Sequence, residues 1–223
     1  MNSSSTHSLV SIEADAILFD NDGVLVDSHA EVTEAWTQMA NEFDLDGEEL
    51  LKTAVGVRAI DTLSRYLEEP KLSAAYNRLA DLEIALATRT RMLAGAETLL
   101  KSLPDSTWTV VTSAPRTLAL ARWAGAGITV PDQTVTGDDV SAGKPDPEPY
   151  LVGAKLLGVD PERCLVFEDS PSGGDAARAA GATVIAVGDQ EWRFEPAARV
   201  DDLREVRCEA LANGGLRLHI EHR

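Results

Sequence analysis

The chain has 223 residues, 44% hydrophobic and 26% charged, the composition of an ordinary globular protein with room for one sizeable core and an inserted subdomain. Thirty-seven Asp and Glu against twenty Lys and Arg leave a formal charge of −17, which repels a nucleic-acid backbone or an anionic membrane over most of the surface, so neither is an expected partner. Two cysteines, Cys164 and Cys208, are too few for a disulfide framework or a thiolate zinc site, and with no basic n-region and no membrane-length apolar run they argue for the cytoplasm.

The first informative segment is AILFDNDGVLVDS, Ala16 to Ser28, in which an apolar strand runs into two acids, Asp20 and Asp22. Side chains at i and i+2 of an extended backbone share a face, and the strand ends here, so both carboxylates are expected at the carboxyl edge of a sheet, where open α/β sheets bind ligands. Such a pair suits a hard cation, or a nucleophile beside a proton donor. Asn21, Asp22 and Gly23 are also common turn residues, so a bare turn fits this segment taken alone. A calcium loop does not, because with Gly23 at its sixth position Leu18 and His29 would stand where carboxylates are required.

From Ala30 to about Ala94 the periodicity is helical, as in Val32, Ala35, Trp36 and Met39. After Leu103 the pattern changes to short Val- and Ile-rich runs separated by loops and helical stretches: Trp108 to Val111, a weaker run at Gln133 to Val135, Cys164 to Phe167, and Thr183 to Val187. Strands alternating with helices predict an α/β fold, a doubly wound parallel sheet with right-handed crossovers. The helical block is then an insertion after the first strand, above the edge that carries Asp20 and Asp22. The expected division is a core of residues 1–28 and 95–223 with a helical cap of 29–94. At the end of the chain, Leu216, Leu218 and Ile220 alternate with polar residues after Gly214 and Gly215, which reads as an amphipathic strand added to an edge.

The later strands end in residues suited to phosphate. Thr112 and Ser113 leave the second as hydroxyl donors, ahead of the amides of a helix start, although Ser and Thr also serve simply as N-caps. Lys144 stands between Gly143 and Pro145, residues that restrict the backbone as a cation reaching into a crowded site requires; a surface turn lysine has the same pattern. Glu168 and Asp169 end the fourth strand. Four carboxylates converging at one edge would repel one another unless a divalent cation and a lysine compensate, so Lys144 and a bound metal support each other as inferences. Oxygen ligands with no His and Cys cluster point to Mg²⁺ rather than zinc.

In these four segments and their order the chain resembles the haloacid dehalogenase-like hydrolases, specifically the subgroup with a helical cap after strand one. The resemblance spans about Ile17 to Val187 and implies a Rossmann-like core. It further implies that Asp20 attacks phosphorus to form an aspartyl phosphate and that Asp22 protonates the leaving oxygen and then activates water. On the same basis Mg²⁺ is bound by the Asp20 carboxylate, the Asp22 carbonyl and Asp169, with Glu168 in or beside the ligand shell. Thr112 or Ser113, with Lys144, hold the phosphoryl oxygens. A carboxylate nucleophile needs no activating base, in keeping with a chain that offers no Ser/His/Asp triad.

The family's dehalogenases lack the second aspartate, so Asp22 favours phosphate chemistry. β-Phosphoglucomutase-like members carry a cap His at the position matching Val32 and a cap Lys with no counterpart between Ala74 and Ala94. The segment AVGVRAIDTL looks more like the sugar phosphate and polyol phosphate phosphatases, whose cap reads HGxR. Here Val55 replaces the His while Gly56 and Arg58 remain, which makes Arg58 the candidate cap contact to substrate. The expectation is a Mg²⁺-dependent phosphatase for a small sugar or polyol phosphate, working as a monomer or weak homodimer. A β-phosphoglucomutase-like mutase and a non-catalytic phosphometabolite-binding protein are the alternatives.

Overall fold

The protein is described by a computed structural model covering residues 8–222. In chain order the elements are β1 (Ser8–Ala14), β2 (Ala16–Phe19), β3 (Val26–Asp27), α1 (His29–Glu42), α2 (Gly47–Ala54), α3 (Ala59–Leu63), α4 (Lys71–Leu86), β4 (Arg91–Met92), α5 (Ala96–Ser102), β5 (Trp108–Val110), α6 (Arg116–Ala126), α7 (Glu148–Leu157), β6 (Cys164–Glu168), α8 (Pro171–Ala179), β7 (Thr183–Val187), β8 (Ala198–Val200), β9 (Val206–Ala210) and β10 (Leu216–His222).

Five strands form a parallel sheet in the order β5-β2-β6-β7-β8. Both faces are covered, which is why β2 and β6 read as unbroken apolar runs rather than alternating ones. Ile17 and Phe19 of β2 enter one core with Trp108, Val110, Leu165 and Phe167, where the Phe19 and Phe167 rings stack at 5.2 Å. Ala16 and Leu18 face the other way, into a core with Tyr150 and Ala154 of α7 and Ala176 and Ala177 of α8.

Three local readings change in the folded chain. The run at Gln133 to Val135 does not form a full strand: it meets β5 through one bridge, Val111 to Val135. The final strand has the expected alternation, with Leu216, Leu218 and Ile220 buried, yet it does not extend the parallel sheet. It is instead the centre of a separate antiparallel sheet, β1-β10-β9, whose apolar face packs into the first core. β1 pairs with it from Ser8↔His222 to Ala14↔Leu216, and the segment between Ala30 and Ala94 holds the two-residue β4 as well as helices.

Helices α1 to α4 pack around Ala35, Trp36, Met39, Leu50, Leu63, Ala75 and Leu79. The chain enters this bundle through β3 and leaves it through β4, which pair antiparallel, Val26↔Met92 and Asp27↔Arg91. One short ribbon therefore ties both ends of the bundle to the rim of the parallel sheet beside Asp20. Among the described residues no helix is long and apolar enough to cross a membrane, and Cys164 and Cys208 are free.

Candidate active site

Strand β2 sits between β5 and β6, so the residues that follow all three emerge together. Asp20 continues the ladder, its amide donating to the Phe167 carbonyl at 2.9 Å. The next turn is closed by the Asn21 carbonyl, which accepts from Leu25 at 2.8 Å and Val26 at 3.0 Å, while Gly23 adopts φ +82°. A Cβ on Gly23 would lie 2.1 Å from Asp169 Oδ2, so the missing side chain lets the carboxylate from β6 close over the loop from β2.

The oxygens of Asp20, Glu168 and Asp169 come within 4.8 Å of one another. Lys144 reaches them from the loop before α7 and is 1% exposed. Its ammonium donates to Asp20 Oδ1 at 2.5 Å, to Glu168 Oε1 at 2.7 Å and to the Val111 carbonyl at 3.2 Å, using all three protons. Lys144 is thus no surface turn residue. The Glu168 carboxylate is also held by the Tyr150 hydroxyl at 2.9 Å and by the amide and hydroxyl of Ser170 at 2.8 and 2.9 Å. Ser170 caps α8 with the same oxygen, accepting from Gly173 at 3.0 Å.

Burial pushes the Asp20 carboxyl up to about 7, against the pull of Lys144 and with Glu168 and Asp22 adding to the rise. Burial, then the negative charge of Glu168 and Asp20, holds Asp169 well above the ordinary carboxylate range. Lys144 moves up despite its burial, because Asp20 and Glu168 stabilise its charge. One ammonium among three carboxyls leaves excess negative charge, and a hard cation fits such an all-oxygen donor set. Both Glu168 oxygens are already taken by donors, whereas none of the described residues donates to the Asp169 carboxylate.

Asp22 stands beside this cluster. Its Oδ1 accepts from the Ser28 hydroxyl at 2.5 Å, and its Oδ2 from Asn21 at 3.2 Å and from Arg122 at 3.0 Å. Thr112 and Ser113 follow β5 as expected, but neither caps α6, whose N-cap is Pro115. The Thr112 hydroxyl accepts from the Ala114 amide at 3.1 Å, and the Ser113 hydroxyl donates to the Gly56 carbonyl of the helical bundle at 2.8 Å.

Asp20, Asp22, Asp169, Thr112 and Ser113 line a cavity of about 410 Å³ between the sheet edge and the bundle. Val32, Trp36, Leu51, Ala54 and Val55 form its apolar roof, with Glu83 and Arg122 at one side. Arg58 does not take the position expected for a substrate contact. Its guanidinium pairs with Asp61 at 2.7 and 3.0 Å and donates to the Val140 and Ser141 carbonyls at 2.9 and 3.1 Å, so it fastens the bundle to the loop that carries Lys144. A Cβ on Gly143 would lie 2.7 Å from Arg58 Nε.

Sequence reasoning also passed over Asn21, Glu83, Arg122, Tyr150 and Ser170. The detectable signal was an Arg in an apolar stripe: Arg122 lies four residues after buried Leu118, on one face of α6. The others carry no local mark of their partners.

A family model described as haloacid dehalogenase-like hydrolase matches residues 14–181. Hexitol phosphatase A of Escherichia coli (strain K12) is 40% identical over 175 residues, which are 76% of this chain and 81% of that protein. Glycerol-1-phosphate phosphohydrolase 2 of Saccharomyces cerevisiae is 31% identical, with 91% of this chain and 83% of that one covered. Among solved structures, β-phosphoglucomutase from Clostridium difficile superposes with a TM-score of 0.78 at 22% identity, over 87% of this chain and 93% of that one, a likeness of fold.

Proposed function

The chain belongs to the haloacid dehalogenase-like hydrolase family, and from that membership and the site we propose that it is a phosphatase for a small sugar or polyol phosphate. The observation that carries this reading is the buried Lys144 ammonium bridging Glu168 to Asp20, which lines the cavity together with Asp169. In this reading residues 29–94 are the cap and the remainder the catalytic core. The protein acts in the cytoplasm as a monomer or weak homodimer, where its two free thiols suit a reducing compartment.

Asp20 attacks the phosphorus: an Oδ–P bond forms, the P–O bond to the alcohol breaks, and Asp22 gives the departing oxygen its proton. Asp22 then takes a proton from a water that attacks the aspartyl phosphate, releasing inorganic phosphate and restoring Asp20. Lys144, giving up its contact with the Val111 carbonyl, and the Thr112 and Ser113 hydroxyls are the donors for the phosphoryl oxygens. The apolar roof excludes bulk water during the first half. Asp20, Asp169 and the Asp22 carbonyl would hold Mg²⁺, braced by Glu168, and the ion supplies positive charge against the phosphoryl oxygens when bound.

The test is release of inorganic phosphate from a hexitol phosphate, glycerol 1-phosphate, 2-deoxyglucose 6-phosphate and p-nitrophenyl phosphate, with Mg²⁺ and with chelator. We expect turnover of at least one alkyl phosphate in Mg²⁺ and its loss in chelator. Silence on the whole panel, or isomerisation of an added sugar 1-phosphate without phosphate release, would remove the proposal.

A second expected result concerns stability. With Asp20 raised to about 7 in the fold and an ordinary aspartate near 4, the metal-free folded protein keeps a proton that the unfolded chain has lost. That stabilisation is full below about pH 4 and disappears as pH rises through about 7. Mg²⁺ binds the carboxylate form, so it should raise the Tm by about 5–10 °C near pH 7.5 at a hundredfold excess over Kd, and by much less near pH 5. A shift of equal size at both pH values in differential scanning calorimetry would place the ion elsewhere.

A further inference from the structure

Arg122 is 4% exposed and has a carboxylate on each side. One arm, Nη1, lies 3.0 Å from Asp22 Oδ2, and the other, Nη2, lies 3.0 Å from Glu83 Oε1. The three residues come from three places: Asp22 from the turn after β2, Arg122 from α6 of the core, and Glu83 from α4 of the helical bundle. Glu83 is itself 7% exposed, and burial raises its carboxyl against the pull of Arg122. A buried acid in the cap with its charge met by a buried core arginine is a costly arrangement to keep unless the pairing is tight.

The backbone keeps it tight. Helix α6 lies against the turn that follows α4, so close that a Cβ on Gly125 would sit 2.1 Å from the Ala87 carbonyl oxygen. Next in sequence to Arg122, the Trp123 indole donates to Asn21 Oδ1 at 2.8 Å, and Asn21 donates to Asp22. Helix α6 therefore grips the Asp22 turn by two adjacent side chains while its other contacts reach the cap.

We propose that Arg122, anchored by Glu83, is a positioning residue that couples the seating of the cap to the placement of the Asp22 carboxyl. The inference rests on the reading of Asp22 as proton donor to the leaving oxygen. As Asp22 hands over its proton, negative charge grows on its carboxylate, and a guanidinium already in place meets that charge without reorganisation. The fork matters, because a planar guanidinium holds its two carboxylates on separate arms in a fixed plane, whereas a lysine ammonium at the end of a flexible stem fixes no such orientation. If the cap lifts, Glu83 leaves and Arg122 loses the partner that orients it. Proton delivery is thereby confined to the closed state, in which water is excluded.

The experiment uses the full chain with Mg²⁺ and compares Arg122→Lys, Glu83→Gln and Asp22→Asn on two substrates: p-nitrophenyl phosphate, whose leaving group departs without help, and the fastest alkyl phosphate of the panel above, whose alkoxide needs a proton. Arg122→Lys and Glu83→Gln are expected to lower the single-turnover rate of alcohol release from the alkyl phosphate, which reads the phosphorylation half alone, by about 10- to 100-fold, up to the lower end of general acid–base contributions, and that of nitrophenolate release from the aryl phosphate by less than about threefold, with half-saturation nearly unchanged. Asp22→Asn should show the same selectivity more strongly. Loss of packing alone would lower both substrates together. A rise confined to the half-saturating substrate concentration would make Arg122 and Glu83 substrate contacts, and equal losses or no loss would likewise overturn the proposal. If Asp22→Asn itself shows no preference between the substrates, the assignment of Asp22 fails. If it does and the other two do not, only the coupling fails.

Discussion

Replacing Asp20 with asparagine is expected to abolish phosphate release, by on the order of 10⁴-fold or more in kcat, without destabilising the protein. The carboxamide has nearly the same shape, and its oxygen can still accept from the Lys144 ammonium that now donates to Asp20 at 2.5 Å. It lacks the anionic oxygen that would attack phosphorus. Burial works against that charge in the folded state, lifting the carboxyl to about 7, so its removal relieves a cost at neutral pH and the metal-free Tm should stay level or rise. A discontinuous phosphate assay beside calorimetry in chelator reads both quantities. More than about 1% of wild-type turnover in a preparation free of wild-type protein would show that Asp20 is not the nucleophile.

Lys144→Met should lose both activity and stability. The methionine can follow the path of the lysine stem, but it offers no donor to Asp20, Glu168 and the Val111 carbonyl. Removing one partner of a buried ionic cluster costs about 3–5 kcal/mol, because the remaining charges stay buried and unpaired. For a chain of this size that corresponds to a Tm lower by about 6–20 °C. Asp20 can take up a proton to relieve part of the repulsion, so the deficit should be smaller near pH 5 than near pH 7.5. Under the proposed mechanism phosphate release should fall by about 10³-fold, since the phosphoryl oxygens would lose a donor and Asp20 its alignment. A variant with wild-type Tm at both pH values would show that Lys144 is not the group that balances these acids.

Position in the sheet explains which parts of the site could be read in one dimension. Asp20, Thr112 and Asp169 each stand just past an apolar run, and a residue there must emerge at the carboxyl edge whichever strands turn out to be neighbours. Lys144 was legible through Gly143 and Pro145, although Gly143 also makes room for Arg58, a contact that no local pattern announces. Arg58 itself shows the limit. Its sequence neighbourhood suggested a ligand in the cap, while its direction was decided by Asp61 and by carbonyls about eighty residues away. The same separation hid Glu83 and Arg122, because an ion pair between α4 and α6 exists only once the two helices are packed.

By itself the sequence determined the strands that are buried on both faces, the helical texture of the bundle, and the four acids and one lysine that the sheet edge would have to hold together. Period and composition act within a few residues, so these features survive in any compact arrangement of the chain. Only the tertiary structure decided that Ser8–Ala14 pairs with Leu216–His222 in a sheet of its own, that Arg58 fastens the helical bundle to the Lys144 loop, and that Arg122 stands between Asp22 and Glu83. Partners distant in sequence meet through packing, and the free energy of a buried charge depends on what surrounds it after the chain has closed.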